Sequence, residues 1–115
     1  MIVPRQRHVA LLPMQNSLRL IYSRIGDMPE RILVADMALK GNWRAWRPGK
    51  SATLLEPETS YEGIDQPLVP SQGGSVHTPV RQLRDPAIFQ EDGRSYLVYS
   101  CAGETSLAMA ELHDT

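Results

Sequence analysis

The fold class is decided by residues 81–104, which read RQLRDPAIFQEDGRSYLVYSCAGE. Asp85 stands before a proline and is followed by an apolar run, an Asp-Gly turn and a second apolar run that ends in Tyr-Ser. Asp and Gly tolerate the positive φ angles that a tight hairpin turn needs. The stretch therefore predicts two antiparallel strands, and it raises the question of whether Asp85 only begins a strand or also belongs to a chemical site.

The rest of the chain repeats this pattern of short apolar runs separated by Gly, Pro, Asn and Asp. Such runs, rich in β-branched and aromatic residues, are typical of strands. The segment 30–39 also fits a short amphipathic helix, but Pro29 before it and its Ile-Leu-Val core favour a strand. The sequence therefore predicts an all-β protein, with strands at 8–14, 17–24, 30–39, 51–57, 86–90, 94–100 and 106–112.

Composition excludes several classes of partner. The chain has 115 residues, a net charge of −1 and a pI near 6.3, and its arginines are scattered. This predicts neither a nucleic-acid nor a membrane partner. No run fits a signal peptide or a bilayer span, so we expect a soluble, cytoplasmic chain. The histidines lack the spacing of metal ligands, so no metal or other cofactor is expected, and the lone Cys101 is expected to be buried.

An internal repeat organises the chain. Tyr22-Ser23 and Tyr99-Ser100 each end an apolar strand, and the two tyrosines are 99 − 22 = 77 residues apart. A propeller blade repeats every roughly 40–50 residues, so this spacing indicates an insertion between the two copies. The segment 58–80 is rich in Pro, Gly, Ser and Thr and is predicted to be that inserted loop. Long loops in compact domains are often functional.

Repeated four-stranded antiparallel units predict blades of a β-propeller. The sequence predicts one partial propeller domain over 1–115, with blade one at about 8–57, the loop at 58–80 and an incomplete blade two at about 83–113. About two blades are fewer than the roughly four to eight that close a ring. Two lateral blade faces would be exposed in a monomer, so we expect either a homo-oligomer or blades missing from a longer parent.

Several segments carry a family resemblance: YSRIGDMPERI (22–32), YEG (61–63), LRDPAIF (83–89), DGRSYLVYS (92–100), AGE (102–104) and LAMAEL (107–112). Residues 8–112 resemble the carboxy-terminal blades of the five-bladed propeller glycosidases, the group that includes glycoside hydrolase family 43. The resemblance implies a glycosidase-like chain with a saccharide ligand. In that family the catalytic base is an Asp of the first blade, and this chain has no counterpart upstream of His8. Whether it is an enzyme therefore stays open.

Two acids are candidates for catalysis, because glycoside hydrolysis needs two carboxyl groups that face each other across the sugar. Glu62 resembles the Glu-Gly pattern around the family's general acid and is expected either to project over a channel mouth or to be a solvated loop residue. Asp85 is expected either to face the channel from an innermost strand, or to pair with Arg84 or cap local amides.

Three further residues are candidate substrate contacts. Arg84 lies beside Asp85. Arg24 and Arg31 bracket a Gly-Asp loop and are expected either to form surface ion pairs or to contact a sugar or a carboxylate. Glu104 follows Gly103 just as Asp27 follows Gly26 in the other copy, which favours a shared turn role over catalysis.

Three functional classes follow from these observations. One is a glycosidase or glycoside-binding propeller whose site needs groups from outside the chain, and another is a non-catalytic module that binds a carbohydrate or small ligand. The last is a self-associating fragment without activity. A single exposed acid does not supply the carboxyl pair of glycoside hydrolysis, so the chain alone is expected to turn over little or no aryl-glycoside.

Overall fold

The computed structural model describes residues 5–113 as an all-β structure. Its strands are β1 Gln6–Pro13, β2 Ser17–Arg24, β3 Ile32–Ala38, β4 Ala52–Leu55, β5 Leu83–Glu91, β6 Arg94–Cys101 and β7 Ser106–Leu112, with 3₁₀ turns at Trp43–Ala45 and Ser60–Glu62. Sheet A has the order β1-β2-β3-β4 and sheet B the order β5-β6-β7, and all neighbouring strands are antiparallel. Within residues 5–113, no helix has the length and apolar character needed to cross a membrane.

The predicted strands are confirmed, with ends that move by a few residues, and segment 30–39 contains a strand rather than a helix. The predicted Asp-Gly hairpin is also confirmed. Asp92 and Gly93 form a two-residue turn with φ of 51° and 76°, between the paired residues Glu91 and Arg94. Two central residues at positive φ match the right-handed twist of the strands they join, which is why Asp-Gly is favoured there.

The core lies between the two sheets. Strands β2 and β3 supply Ile21 and Ile32, which pack with residues of sheet B: Leu83, Leu97, Tyr99 and Cys101. The expected burial of Cys101 is confirmed. Alternate residues of a strand point to opposite faces, so sheet A also has a second apolar face. That face carries a separate buried cluster of Leu20, Tyr22, Leu33 and Ala35. This face of sheet A, which was expected to be exposed, is therefore buried at these four residues, whereas Leu11 on the same face is 50% exposed.

The internal repeat is present in the strand register. Arg7 pairs with Ser23 and Arg84 pairs with Ser100, so both partners are offset by 77 residues (84 − 7 and 100 − 23). The third strands are offset by 75, because Leu33 faces Tyr22 and Ala108 faces Tyr99. In sheet A, the outer edge of β3 pairs with β4. Within the described residues, sheet B has no fourth strand, so the equivalent edge of β7 is unpaired.

The segment 56–82 connects the sheets and lies across the end at which β2 and β6 finish. Its residues bond to both copies, from Ser71 N–H to Asp27 O (3.1 Å) and from Ala102 N–H to Glu62 O (3.2 Å). Gly63 has a φ of 95°, and a Cβ placed there would lie 2.2 Å from the carbonyl oxygen of Val80. Glycine is therefore required at this close approach.

Candidate functional site

The site is built on a β-bulge that occurs in both sheets. From Arg7 to Ala10, β1 advances by three residues while the paired strand β2 advances by two. The same extra residue occurs in β5 between Arg84 and Ala87, opposite β6. The extra residue bends the strand and redirects its side chains. His8 in β1 and Asp85 in β5 have φ of 52° and 54°. Positive φ in a residue other than glycine is uncommon and concentrates at functional sites.

The two bulges lie side by side, because β1 contacts β5. His8 Nε2 is 3.3 Å from Asp85 Oδ1, and the Ser100 hydroxyl donates a hydrogen bond to Asp85 Oδ2 at 2.7 Å. The side chain of His8 is 57% exposed and that of Asp85 is 32% exposed. His8, Asp85 and Ser100 are called the junction site below. Asp85 is thus partly open to a ligand, and its contacts are with His8 and Ser100.

Beneath the junction site is a buried ionic cluster centred on Glu30. Glu30 Oε2 accepts hydrogen bonds from Arg7 Nε (2.8 Å) and from the Ser23 hydroxyl (2.6 Å), while Oε1 accepts one from Arg7 Nη2. Arg84 Nε lies 3.3 Å from Glu30 Oε1, and its terminal nitrogens donate to Gly74 O (3.1 Å) and to the side chain of Gln82. Arg84 is buried and does not reach a ligand directly. Glu30 thus joins Arg7 of β1 to Arg84 of β5, the residues that precede His8 and Asp85.

The charges of this cluster affect one another. The hydrogen bond to Glu30 raises the pKa of Arg7. Burial lowers the pKa of Arg84, and the attraction of Glu30 opposes that change. Asp85 and Glu104 also act on both guanidinium groups by favouring their charged forms. Removing a charge from the partly exposed acids therefore changes the electrostatic balance of the buried cluster as well.

Glu62 has neither of the two locations expected from the sequence, because its side chain is buried. One carboxylate oxygen accepts hydrogen bonds from the backbone N–H groups of Glu58 (3.0 Å) and Thr59 (3.2 Å), and the other accepts one from the Tyr99 hydroxyl at 2.5 Å. Burial, followed by this hydrogen bond, raises the pKa of Tyr99. These contacts attach segment 56–82 to sheet B, which is a structural task that the Glu-Gly pattern does not indicate.

The remaining candidates, Arg24 and Glu104, have partners outside the junction site. Arg24 Nε lies 3.3 Å from Asp27 Oδ2, so its partner is the carboxylate of its own loop. Glu104 is partly buried and accepts a hydrogen bond from Val76 N–H at 3.0 Å. Glu104 therefore helps to hold the connecting segment, while its charge acts on Arg7 and Arg84.

The geometry limits the chemistry of the junction site. Ser100 donates to Asp85 and not to the imidazole, so the three side chains lack the serine-to-histidine contact that activates a nucleophile. Among the described residues, no group of three or more His, Cys, Asp or Glu side chains is arranged to hold a metal ion. What the site offers is a carboxylate oxygen and an imidazole that can exchange hydrogen bonds with a polar ligand.

Two clefts lie away from the junction site. One, of about 250 Å³, lies at the hairpin end of sheet B near Arg94 and Glu111, and the other, of about 410 Å³, lies beside β3 and β4 near Asp36 and Lys50. Neither is lined by the bulge residues. The junction site has the more specific arrangement, because it lies where two equivalent bulges meet and His8 contacts Asp85.

Sequence reasoning missed four contributors to this arrangement: Arg7, His8, Glu30 and Ser100. The 77-residue offset places Arg7-His8 opposite Arg84-Asp85, so the repeat contains a signal for the first two. The same offset makes Ser100 the counterpart of Ser23. Glu30 follows a proline in a short connection, and no motif in the sequence indicates that it is buried beneath two arginines.

Comparisons with known proteins assign no family or activity. No protein-family model matches the chain. No solved structure matches it. The chain is similar to "Uncharacterized protein R118" of Acanthamoeba polyphaga mimivirus, with 44% identity over 109 residues that cover 92% of this chain and 30% of that protein. The chain thus spans less than a third of the length of this curated relative.

Proposed function

We propose that residues 5–113 form two neighbouring blades of a propeller related to the five-bladed glycosidases, and that the junction site binds a saccharide. The observation that carries the binding role is the meeting of His8 and Asp85 at 3.3 Å, both partly exposed. They come from equivalent bulges of two sheets, so each blade supplies one side chain to the same point.

Three features support the blade arrangement. Each sheet is antiparallel, the sheets pack face to face, and the first strand of one contacts the first strand of the other. In a propeller the first strands of neighbouring blades lie beside the central channel. The junction site would then open into that channel.

The chemistry of the site suits a sugar. Sugar hydroxyls both donate and accept hydrogen bonds, a carboxylate accepts them, and an imidazole can do either. The Ser100 hydroxyl holds one oxygen of Asp85, and Glu30 holds the neighbouring residue Arg84. A binding group whose orientation is fixed in advance loses little conformational entropy when the ligand arrives.

The same contacts favour binding over hydrolysis by this chain alone. Hydrolysis needs a second carboxyl group across the sugar. Glu30 and Glu62 are buried, and both oxygens of each are engaged. Glu104 is the remaining candidate near the cluster, and one of its oxygens is bound to a backbone N–H. A complete hydrolytic site would therefore draw a group from outside residues 5–113.

Calorimetric titration with methyl α-L-arabinofuranoside, methyl β-D-xylopyranoside and xylobiose tests the binding role. We expect dissociation constants on the order of millimolar, which correspond to about 4 kcal/mol of binding free energy. Asp85→Asn and His8→Ala should each weaken binding by about tenfold or more, the equivalent of about 1.4 kcal/mol. Glu91→Gln is the matched control, because Glu91 is an exposed carboxylate at the far end of the same strand.

Two results would contradict the proposal. The first is the absence of binding to all three saccharides, and the second is an equal loss of binding in the Glu91→Gln control. Turnover is measured beside binding with p-nitrophenyl arabinosides and xylosides and is expected to be negligible. Robust hydrolysis that disappears in Glu104→Gln, with the fold retained, would instead show that Asp85 and Glu104 form a hydrolytic pair.

A further inference from the structure

The connection between β3 and β4 has a concentrated positive charge, although the chain as a whole is slightly acidic. Residues 40–50, called the basic loop below, read KGNWRAWRPGK and contain four of the 12 Lys and Arg residues and no acid. The other eight stand against 13 Asp and Glu in the rest of the chain. The expectation of no nucleic-acid partner was based on the net charge, which averages over these two regions. A local positive patch can attract an anionic partner.

The charges of the basic loop are not neutralised by neighbouring acids. Its cations are all exposed, namely Lys40, Arg44, Arg47 and Lys50. Among the described residues, none of the four forms an ion pair with a carboxylate. Asp36 is the last acid before the loop, and its carboxylate is paired with Arg19 at 2.8 Å. The four charges are therefore available to a ligand.

An indole ring is exposed among these charges. Trp43 begins the 3₁₀ turn and is 66% exposed, and the guanidinium carbon of Arg44 lies 5.3 Å from the centre of its ring. Trp46 is only half-buried too, but its indole N–H donates to the carbonyl oxygen of Lys40 at 3.2 Å and closes the loop. Leaving a large apolar ring in water forgoes the free energy of burying it. Trp46 thus has a structural contact, whereas Trp43 presents a flat ring to solvent.

Hydrogen bonds hold the basic loop in one shape. Asn42 Oδ1 accepts a hydrogen bond from the backbone N–H of Arg44 at 3.0 Å, and the N–H of Gly49 donates to the carbonyl oxygen of Asp36 at 2.8 Å. The cleft of about 410 Å³ lies beside this second contact, with Lys50 on its wall. A surface whose shape is fixed in advance loses little conformational entropy when a ligand binds.

We propose that the basic loop binds single-stranded nucleic acid, with a base stacked on Trp43 and the phosphates beside the four cations. Proteins that bind single strands without sequence preference combine cations along the backbone with aromatic side chains on which bases stack. A duplex hides the faces of its bases within the stack, so an exposed indole favours a single strand. The cleft beside Lys50 extends the contact surface beyond the loop.

Other anionic partners use only part of this surface. An acidic peptide neutralises the cations but lacks the π-face that every base offers to an aromatic ring. A membrane surface takes up a continuous apolar face together with basic residues. In the basic loop only the Trp43 ring is strongly exposed, and its flanking residues Asn42 and Arg44 are polar. The combination of one ring and four cations therefore fits a strand of nucleotides best.

The basic loop is separate from the junction site. Strand β3 pairs its first half with Tyr22, near Ser23 and the Glu30 cluster, and its last residue Ala38 with Ser17 at the other end of β2. The loop follows Ala38, so it lies at the end of sheet A opposite the junction site. Saccharide binding at the junction site is therefore not needed for this role.

Fluorescence anisotropy of a labelled oligothymidylate of about 15 nucleotides, titrated with the whole chain at about 50 mM salt, tests the proposal. We expect a dissociation constant on the order of 10⁻⁶ to 10⁻⁴ M, which Trp43→Ala raises about tenfold and Trp43→Phe raises less. The Arg44→Gln, Arg47→Gln double variant should reduce the slope of log affinity against log salt by about 0.7 for each cation removed. All these positions are exposed, so the circular dichroism spectrum should not change.

Two variants outside the loop are matched controls. Tyr61→Ala removes another exposed ring, which is 54% exposed, and Arg94→Gln removes another exposed cation, whose side chain is 65% exposed. Both should bind the oligothymidylate like wild type. An equal loss of affinity in either control would contradict a specific role of the basic loop, and the absence of binding to the oligothymidylate at about 50 mM salt would refute the proposal.

Competing ligands separate stacking from charge alone. The same strand paired with oligodeoxyadenylate should bind more weakly, and equal affinity for the duplex would contradict the stacked base. Inorganic polyphosphate has phosphates but no rings, so its binding should not depend on Trp43. If Trp43→Ala leaves the affinity for the oligothymidylate unchanged, the loop recognises only charge and the proposal is wrong. Binding to phosphatidylserine vesicles without binding to the oligothymidylate would assign the loop to a membrane surface instead.

Discussion

Sheet A and sheet B each have a serine at the equivalent position of their second strand, but the two serines donate hydrogen bonds to acids at different positions. Ser23 donates to Glu30, which lies in the connection before β3 and is buried beneath two arginines. Ser100 donates to Asp85, which is itself the bulge residue and is partly exposed. In sheet A the bulge residue is His8. The fold therefore tolerates either side chain in the bulge, which leaves Asp85 available for a ligand.

The two sheets also differ in how their equivalent faces are used. Leu12 and Ile32 are buried between the sheets, while their counterparts Phe89 and Leu107 are exposed. Apolar side chains at equivalent positions thus differ in burial, because this face of sheet A packs against sheet B while the same face of sheet B is exposed. Substitutions in one sheet at a time measure whether residues at equivalent positions of the repeat contribute equally to the free energy of unfolding.

The largest effect is expected from Glu30→Ala. This change leaves the buried charge of Arg84 and the partly buried charge of Arg7 without their shared partner, and removing one member of a buried pair costs about 3–5 kcal/mol. Chemical denaturation measures the free energy of unfolding. Glu30→Gln keeps the volume and part of the hydrogen bonding, so its loss should be smaller. A Glu30→Ala protein as stable as wild type would show that the cluster adds nothing to the fold.

The next effect separates the equivalent positions Ile32 and Leu107. Ile32→Ala removes a fully buried side chain and should lower the free energy of unfolding by about 2–4 kcal/mol. Leu107→Ala removes an exposed one and should change it by less than about 0.5 kcal/mol in the monomer. Both values come from denaturation at a concentration where wild type is monomeric. Equal losses would mean that Leu107 is buried in solution, even in the monomer.

Fold class, strands and hairpins could be predicted because they depend on local signals, such as Asp92-Gly93 between two apolar runs. The candidate site could be predicted only in part. Asp85 stands out because it precedes a proline at the head of a strand. The role of Glu62 depends on Tyr99, which lies 37 residues away along the chain. Glu30 and His8 approach β5 only after the sheets pack. Such contacts arise from tertiary structure and leave no local pattern in the sequence.

Tyr99→Phe tests the contact between Glu62 and sheet B. Losing a hydrogen bond to a buried carboxylate should cost about 2 kcal/mol near neutral pH. The raised pKa of Tyr99 adds a dependence on pH. Above pH about 10 the unfolded chain loses this proton while the folded chain keeps it, so wild-type stability falls there. The substituted protein lacks that loss, and the stability difference should shrink in alkali. A difference that stays constant with pH would contradict the raised pKa.

The smallest effect concerns Asp85 and separates its backbone strain from its side-chain contact. Asp85→Ala and Asp85→Gly both remove the acceptor of the Ser100 hydroxyl, but only alanine keeps a Cβ at a φ of 54°. The glycine protein should therefore be more stable than the alanine protein by about 1 kcal/mol.

Asp85→Asn keeps an acceptor and tolerates this φ, so its thermal melt should lie close to wild type, within about 0.5 kcal/mol. If Asp85→Asn retains stability but loses saccharide binding, the carboxylate serves the ligand. A large loss of stability with binding unchanged would instead give Asp85 a structural role at the start of its strand, comparable to the role of Glu30 as acceptor of the Ser23 hydroxyl.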